Sequence, residues 1–126
     1  MADHDNAWPK ELRVSPDRKS LTISFTDARS HTIEAELLRV CSPSAEVQGH
    51  SPAQRVTVGG KADVVISKVL PVGNYAVRLA FDDGHDTGIY TWKFLSELGA
   101  AKDERWAEYL TELTDKGMSR TQQLMF

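Results

Sequence analysis

The chain has 126 residues, 40% hydrophobic and 26% charged, with a net charge of −3 and a pI near 5.8. That length suits one folded domain with its own core. The acidic balance, with Lys and Arg spread among acidic residues, argues against nucleic acid as a partner. Cys41 is the only cysteine, which excludes an intramolecular disulfide and any multi-cysteine metal site within one chain.

Residues 1–10 read as a flexible arm lacking the charged and apolar segments of a secretion signal, and no run approaches the about 18 apolar residues of a membrane span. A cytoplasmic protein that does not engage membranes is the expectation. Leu12 and Val14, then Leu21, Ile23 and Phe25, alternate with polar residues around Ser15-Pro16-Asp17-Arg18, predicting an antiparallel hairpin. A turn at 27–30 leads to a short strand at 31–33, and 34–40 predicts a short helix facing inward with Ala35, Leu38 and Leu37.

The polar stretch 41–54, broken by Pro43, Gly49 and Pro52, is long for a connection in a compact domain and marks a candidate functional loop. Val56 and Val58 resume a strand pattern, Gly59-Gly60 predicts a hairpin turn into a strand at 62–69, and 71–74 another turn. Tyr75, Val77, Leu79 and Phe81 alternate, and Asp83-Gly84 signals a hairpin before a strand at 87–90. Two helices are predicted last. One spans 91–98, with Trp92, Leu95 and Leu98 on one side and Gly99 as its stop. The other has Asp103 as N-cap, Gly117 just past its end, and Trp106, Tyr109, Leu110 and Leu113 as its apolar stripe. Residues 118–126 are expected to fray. The result is a single α+β domain over 11–117, mostly antiparallel hairpins with a short central helix and two C-terminal helices.

LTISFTDARSHTI (21–33) aligns without gaps on VRLAFDDGHDTGI (77–89). Two hairpins sharing alternation and an Asp turn would give this echo, and so would a strand–turn–strand–helix unit built twice.

No catalytic constellation is complete. Gly49-His50-Ser51-Pro52-Ala53 resembles a nucleophile elbow, but Pro52 has no N–H for an oxyanion. Gly60-Lys61 is followed by Ala62, where a phosphate loop needs a hydroxyl. None of His4, His31, His50 and His85 is followed two places on by the acidic residue usual in iron oxygenases. Asp82, Asp83 and His85 offer oxygen and imidazole donors for a divalent ion, though Asp-Gly turns favour the same residues. The tryptophans at 8, 92 and 106 suit a core better than a ligand cage. Cys41, just past a helix C-terminus, suits an inert thiol.

Taken together, WPKELR (8–13), AELLRV (35–40) running into SPSAEVQGH (42–50), PVGNYAVRL (71–79) and FDDGHDTGIY (81–90) resemble the γ-butyrobetaine hydroxylase-like N-terminal domain family, in its free-standing bacterial form. The resemblance covers about 8–120 and implies a small α+β domain. In the hydroxylases this domain binds a structural zinc through three cysteines and a histidine. Here Ser42, Ser44 and Val47 stand at the cysteine positions, Cys41 is one residue out of register, and only the histidine, His85, is kept. The expectation is no bound cofactor, with zinc or iron at His85 and nearby carboxylates as the alternative. Related domains fused to iron–sulfur carrier ATPases imply a non-catalytic accessory role, with a carrier ATPase or its client as partner. The loop 41–54 and turn 82–86 are expected to meet, with Arg39, Ser42, Ser44, His50, Asp83 and His85 forming the binding surface.

Overall fold

The computed structural model describes residues 8–49 and 51–121. The first sheet comprises β1 (Pro9–Val14), β2 (Ser20–Phe25) and β3 (Ser30–Glu34), antiparallel in that order, followed directly by α1 (Ala35–Val40). A one-turn helix, α2 (Ala45–Gln48), and a 3-10 turn at Pro52–Gln54 follow. The second sheet repeats the plan with β4 (Ile66–Val72), β5 (Ala76–Phe81) and β6 (Gly88–Thr91), followed by α3 (Trp92–Ala100) and α4 (Lys102–Asp115). This is the predicted α+β class.

The two sheets correspond in detail. Phe25 N donates to Arg29 O and Ala28 N to Phe25 O in the first turn, as Phe81 N does to His85 O and Gly84 N to Phe81 O in the second. Asp27 accepts from Arg29 N as Asp83 accepts from His85 N. A register shift begins each sheet, where Pro9 faces Phe25 and where Ile66 faces Phe81. The second turn is one residue longer: Ile23 pairs with His31 across 24–30, and Leu79 with Gly88 across 80–87. The ungapped alignment therefore slips after His85. Buried Ile33 corresponds to buried Tyr90, while Ile89 points outward.

Strand alternation fills the core. Leu21, Ile23 and Phe25 from β2 meet Val77, Leu79 and Phe81 from β5, roofed by Leu37, Leu38, Leu95 and Leu98 from the helices. Burying each such side chain is worth about 1.5–3 kcal/mol, which is why the alternating runs predict these strands. Each helix packs towards the other unit's turn. Arg39 of α1 bonds Asp83, and Ser96 of α3 accepts from Arg29. Gly99 is part of this packing rather than a stop. A Cβ there would lie 2.4 Å from His31 Cγ, and α3 continues through Ala100.

Several expectations are corrected. Val56 and Val58 form no strand and Gly59-Gly60 no hairpin. Val56 N bonds Val47 O, Gly60 N bonds Ser119 O and Ala62 N bonds Arg120 O, so this backbone is satisfied without a neighbouring strand. The next strand begins at Ile66 and carries Pro71 and Val72 within it. The same bonds hold residues 119–120, within the stretch expected to fray. Ala101 rather than Asp103 caps α4, with no side-chain bond, while Asp103 lies in its first turn. At its other end Met118 N reaches Leu113 O and Gly117 N reaches Thr114 O, a left-handed Gly117 closing the helix as predicted. Leu110 is 39% exposed and Trp8 52%, so neither belongs to the core. Among the described residues no helix is long and apolar enough to cross a membrane.

Candidate functional site

The loop after α1 and the β5–β6 turn meet. Ser42 closes the last turn of α1, its N–H bonded to Arg39 O, and is fully buried. Its Oγ lies 2.9 Å from His85 Nε2, and His85 Nδ1 lies 3.2 Å from Glu46 Oε2. Ser44 caps α2 by accepting from Glu46 N, and its Oγ is 2.8 Å from Thr87 Oγ1. Thr87 in turn donates to Glu46 Oε1.

One set of hydrogen positions satisfies all of these. Burial, helped by the Arg39 charge and opposed by Glu46 and Asp83, lowers the His85 pKa, so its imidazole is neutral near pH 7. A neutral ring donates from Nδ1 to the Glu46 carboxylate and accepts at Nε2 from the Ser42 hydroxyl. Thr87 spends its proton on Glu46 and so accepts from Ser44. Both hydroxyl chains end on Glu46, whose side chain is 63% exposed.

The order Ser–His–Glu is that of a hydrolytic triad, but Ser42 has no exposed surface. A nucleophile must be reached by substrate. Gly88 also presses on it, since a Cβ there would stand 2.5 Å from Ser42 Oγ. The arrangement acts as a joint between loop and turn.

A second layer of charge braces the joint. Asp83 Oδ2 accepts from Arg39 Nε at 2.7 Å and pairs with Lys61 Nζ at 2.6 Å, while Oδ1 accepts from His85 N. Burial alone would raise the Asp83 pKa, but the Lys61, His85 N–H and Arg39 bonds outweigh it and hold it at about 2. Tyr90, fully buried beneath, donates to Leu38 O at 2.6 Å.

Arg39, Ser42, Ser44, Asp83 and His85 are thus brought together, and His50 lies outside the described residues. Ser42, Ser44 and His85 are buried and Arg39 is half-buried, while Asp83 stays at the surface with its side chain turned in to 17% exposure, so the middle of the cluster is interior and only its Asp83 edge lies open. Glu46, Thr87 and Lys61 were missed by sequence reasoning. The signal available was the Ser44-x-Glu46 start of a capped helix.

Zinc does not fit the four family positions. Ser42 and Ser44 offer hydroxyls committed to hydrogen bonds, Val47 lies 2% exposed in the apolar interior, and the His85 nitrogens are both engaged. The alternative set diverges as well. Asp82 accepts from Val65 N, Asp83 is held by two cations, and no group of three or more His, Cys, Asp or Glu among the described residues could hold a metal ion. Cys41 is buried, which pushes its thiol pKa up against the pull of Arg105, whose Nη2 lies 3.6 Å from Sγ.

The bracing layer predicts an acid-sensitive fold. A carboxyl with a folded pKa of about 2 against an ordinary 3.8 contributes stability that is fully present above 3.8 and lost as pH falls towards 2. Asp83→Asn is expected to cost about 2 kcal/mol at pH 7 and to remove this group's share of the acid-induced decline. Urea titrations at pH 7, 4 and 2.5, with about equal deficits at every pH, would refute this.

Comparison with known proteins agrees with the fold. An NMR solution structure of a protein 44% identical covers 94% of each chain at a TM-score of 0.81. A second NMR structure, 40% identical, covers 100% of this chain and 97% of its own at 0.80. A crystal structure of a protein of unknown function in the DUF971 family, from Acidithiobacillus ferrooxidans, is 34% identical, covering 79% of this chain and 99% of its own at 0.62. No curated protein matches. The family model for "gamma-butyrobetaine hydroxylase-like, N-terminal" matches residues 12–96, a span that takes in both sheets from the middle of β1 onward, α1 and the whole joint. The chain therefore belongs to the γ-butyrobetaine hydroxylase-like N-terminal domain family.

Proposed function

We propose that this chain is a non-catalytic accessory module that acts in the cytoplasm by docking on another protein, one serving iron–sulfur maturation or an iron-dependent enzyme. The observation that carries this reading is the closure of the polar cluster. Its hydroxyls and imidazole bond one another and terminate on Glu46, leaving the Ser42 hydroxyl and the His85 imidazole closed to a substrate. What the joint does is hold a rim. Glu46 and Asp86 are exposed on its two sides, from the loop and from the turn. A buried polar network that fixes two loops in one geometry preorganises such a face for binding. The rim is acidic, as is the whole chain, so the partner surface carries Lys or Arg.

The test uses the full chain and a purified iron–sulfur carrier ATPase from the same cell. Binding in the micromolar range is expected, and Glu46→Lys with Asp86→Lys should weaken it by about tenfold. Because Glu46→Lys also takes the acceptor from the joint, Asp86→Lys alone is the control, weakening binding about threefold with little change in melting temperature. Elemental analysis of the same protein, purified without a histidine tag, should show no stoichiometric zinc or iron. Absence of binding, or binding indifferent to both charge reversals, would remove the proposal. One metal per chain would favour a metal site at His85 instead.

A further inference from the structure

The segment after α4 delivers an arginine into a built pocket. The Glu36 side chain is only 7% exposed, and Arg120 holds both its oxygens, Nε to Oε2 at 3.0 Å and Nη2 to Oε1 at 2.8 Å. The guanidinium carbon lies 5.0 Å from the centroid of the Trp106 ring, over its face. A planar fork paired to a carboxylate and stacked on an indole is a geometry arginine fills and lysine does not. The Arg120 side chain itself is 44% exposed, so the carboxylate forms the floor of the pocket and the cation its mouth.

The backbone carrying Arg120 lies along residues 60–62, with Ser119 O and Arg120 O each accepting at 2.9 Å from Gly60 N and Ala62 N. Two clefts adjoin the arginine. One, of about 330 Å³, is lined by Glu36 and Trp106, and the other, of about 460 Å³, by Lys61 and Asp83. Arg120 borders both. Ala62 and Val64 line both clefts as well, so the two form one groove beside the strap. Apart from Arg120, three carboxylates line each cleft (Glu34, Glu36 and Asp103; Asp63, Asp82 and Asp83) against lysines at 19, 61 and 102. Such walls favour a cationic occupant.

We propose that this groove is a docking site for an arginine-bearing extended segment of a partner protein, and that residues 117–121 close it in cis. Lifting the strap with nothing in its place would strand a buried carboxylate. An incoming arginine replaces Arg120 with the same fork on the same floor, and its backbone can take over the Gly60 and Ala62 donors. Exchange therefore leaves no buried charge unpaired, since the displaced Arg120 passes into water, and the cis strap sets a threshold that the partner must exceed. The site is independent of the Glu46 rim, because Glu36→Gln leaves that rim in place.

The full-length wild type and Arg120→Ala are compared by thermal melting and by the Trp106 indole resonance. Arg120→Ala should melt lower. N-acetyl-arginine amide at about 10 mM should raise its melting temperature and shift the indole signal, and N-acetyl-lysine amide should do so about fivefold less. The peptide Gly-Met-Ser-Arg-Thr should bind Arg120→Ala about tenfold more tightly than the wild type, where the strap competes. Arg120→Ala combined with Glu36→Gln should not respond to arginine. If Arg120→Ala does not fold, Arg120→Lys takes its place in each comparison. Equal responses to arginine with and without Glu36, equal responses to the two amides, or equal peptide affinity for wild type and variant would each overturn the proposal. A wild-type dimer abolished by Arg120→Ala would give the pocket to a second copy's strap and overturn the partner named here.

Discussion

Trp106→Ala is expected to lower the unfolding free energy by about 3 kcal/mol, the low end of the range for truncating a core aromatic. The low end applies because the ring is half-buried. One side packs on the core and on Tyr109, whose ring centroid is 5.5 Å away, and the other carries the Arg120 guanidinium. The alanine variant loses the apolar contact of α4 and the surface on which Arg120 stacks. Tyr109, whose hydroxyl donates to Val58 O at 2.6 Å and whose pKa burial pushes up to about 12, still ties α4 to the 55–59 segment. The loss should therefore appear as a lower urea midpoint with an unchanged slope. Trp106→Phe, which keeps most of the packing, should cost about 1 kcal/mol. A midpoint unchanged in the alanine variant would show that the indole contributes nothing to the fold.

Gly88→Ala is expected to cost about 2–3 kcal/mol, although it adds a single methyl group. The new Cβ would stand 2.5 Å from Ser42 Oγ and 2.9 Å from Tyr90 Cε1. Neither neighbour can yield freely. Ser42 is held by His85, and Tyr90 is anchored through its hydroxyl to Leu38 O. Ser42→Ala alone removes two buried hydrogen bonds, to His85 Nε2 and from Ser44 N, together worth about 2 kcal/mol. In the double variant the missing oxygen makes room for the added methyl, so the combined loss should fall at least about 1 kcal/mol short of the sum. Strict additivity in that cycle would mean that the two groups do not press on each other.

Most of the secondary structure was legible because it rests on local chemistry. Leu21, Ile23 and Phe25 alternate because a strand turns successive side chains to opposite faces, and Tyr109 and Leu113 recur at helical spacing with Gly117 to end the helix. The meeting of Ser42 with His85 was legible only through family resemblance, since 43 positions separate them and nothing local links the two. What tertiary structure decided was which backbone satisfied which. Val56 and Val58 have strand-like alternation, yet their neighbours are α2 and the chain after α4, so no ladder forms. Gly99 has the composition of a helix stop, and its role is to let α3 approach His31. Burial decided the character of the candidate site in the same way. Ser42, Ser44 and His85 are polar residues in a polar loop, which predicts a surface. Packing α1 beneath Tyr90 draws them inside, where a polar group must find a partner, and they found one another.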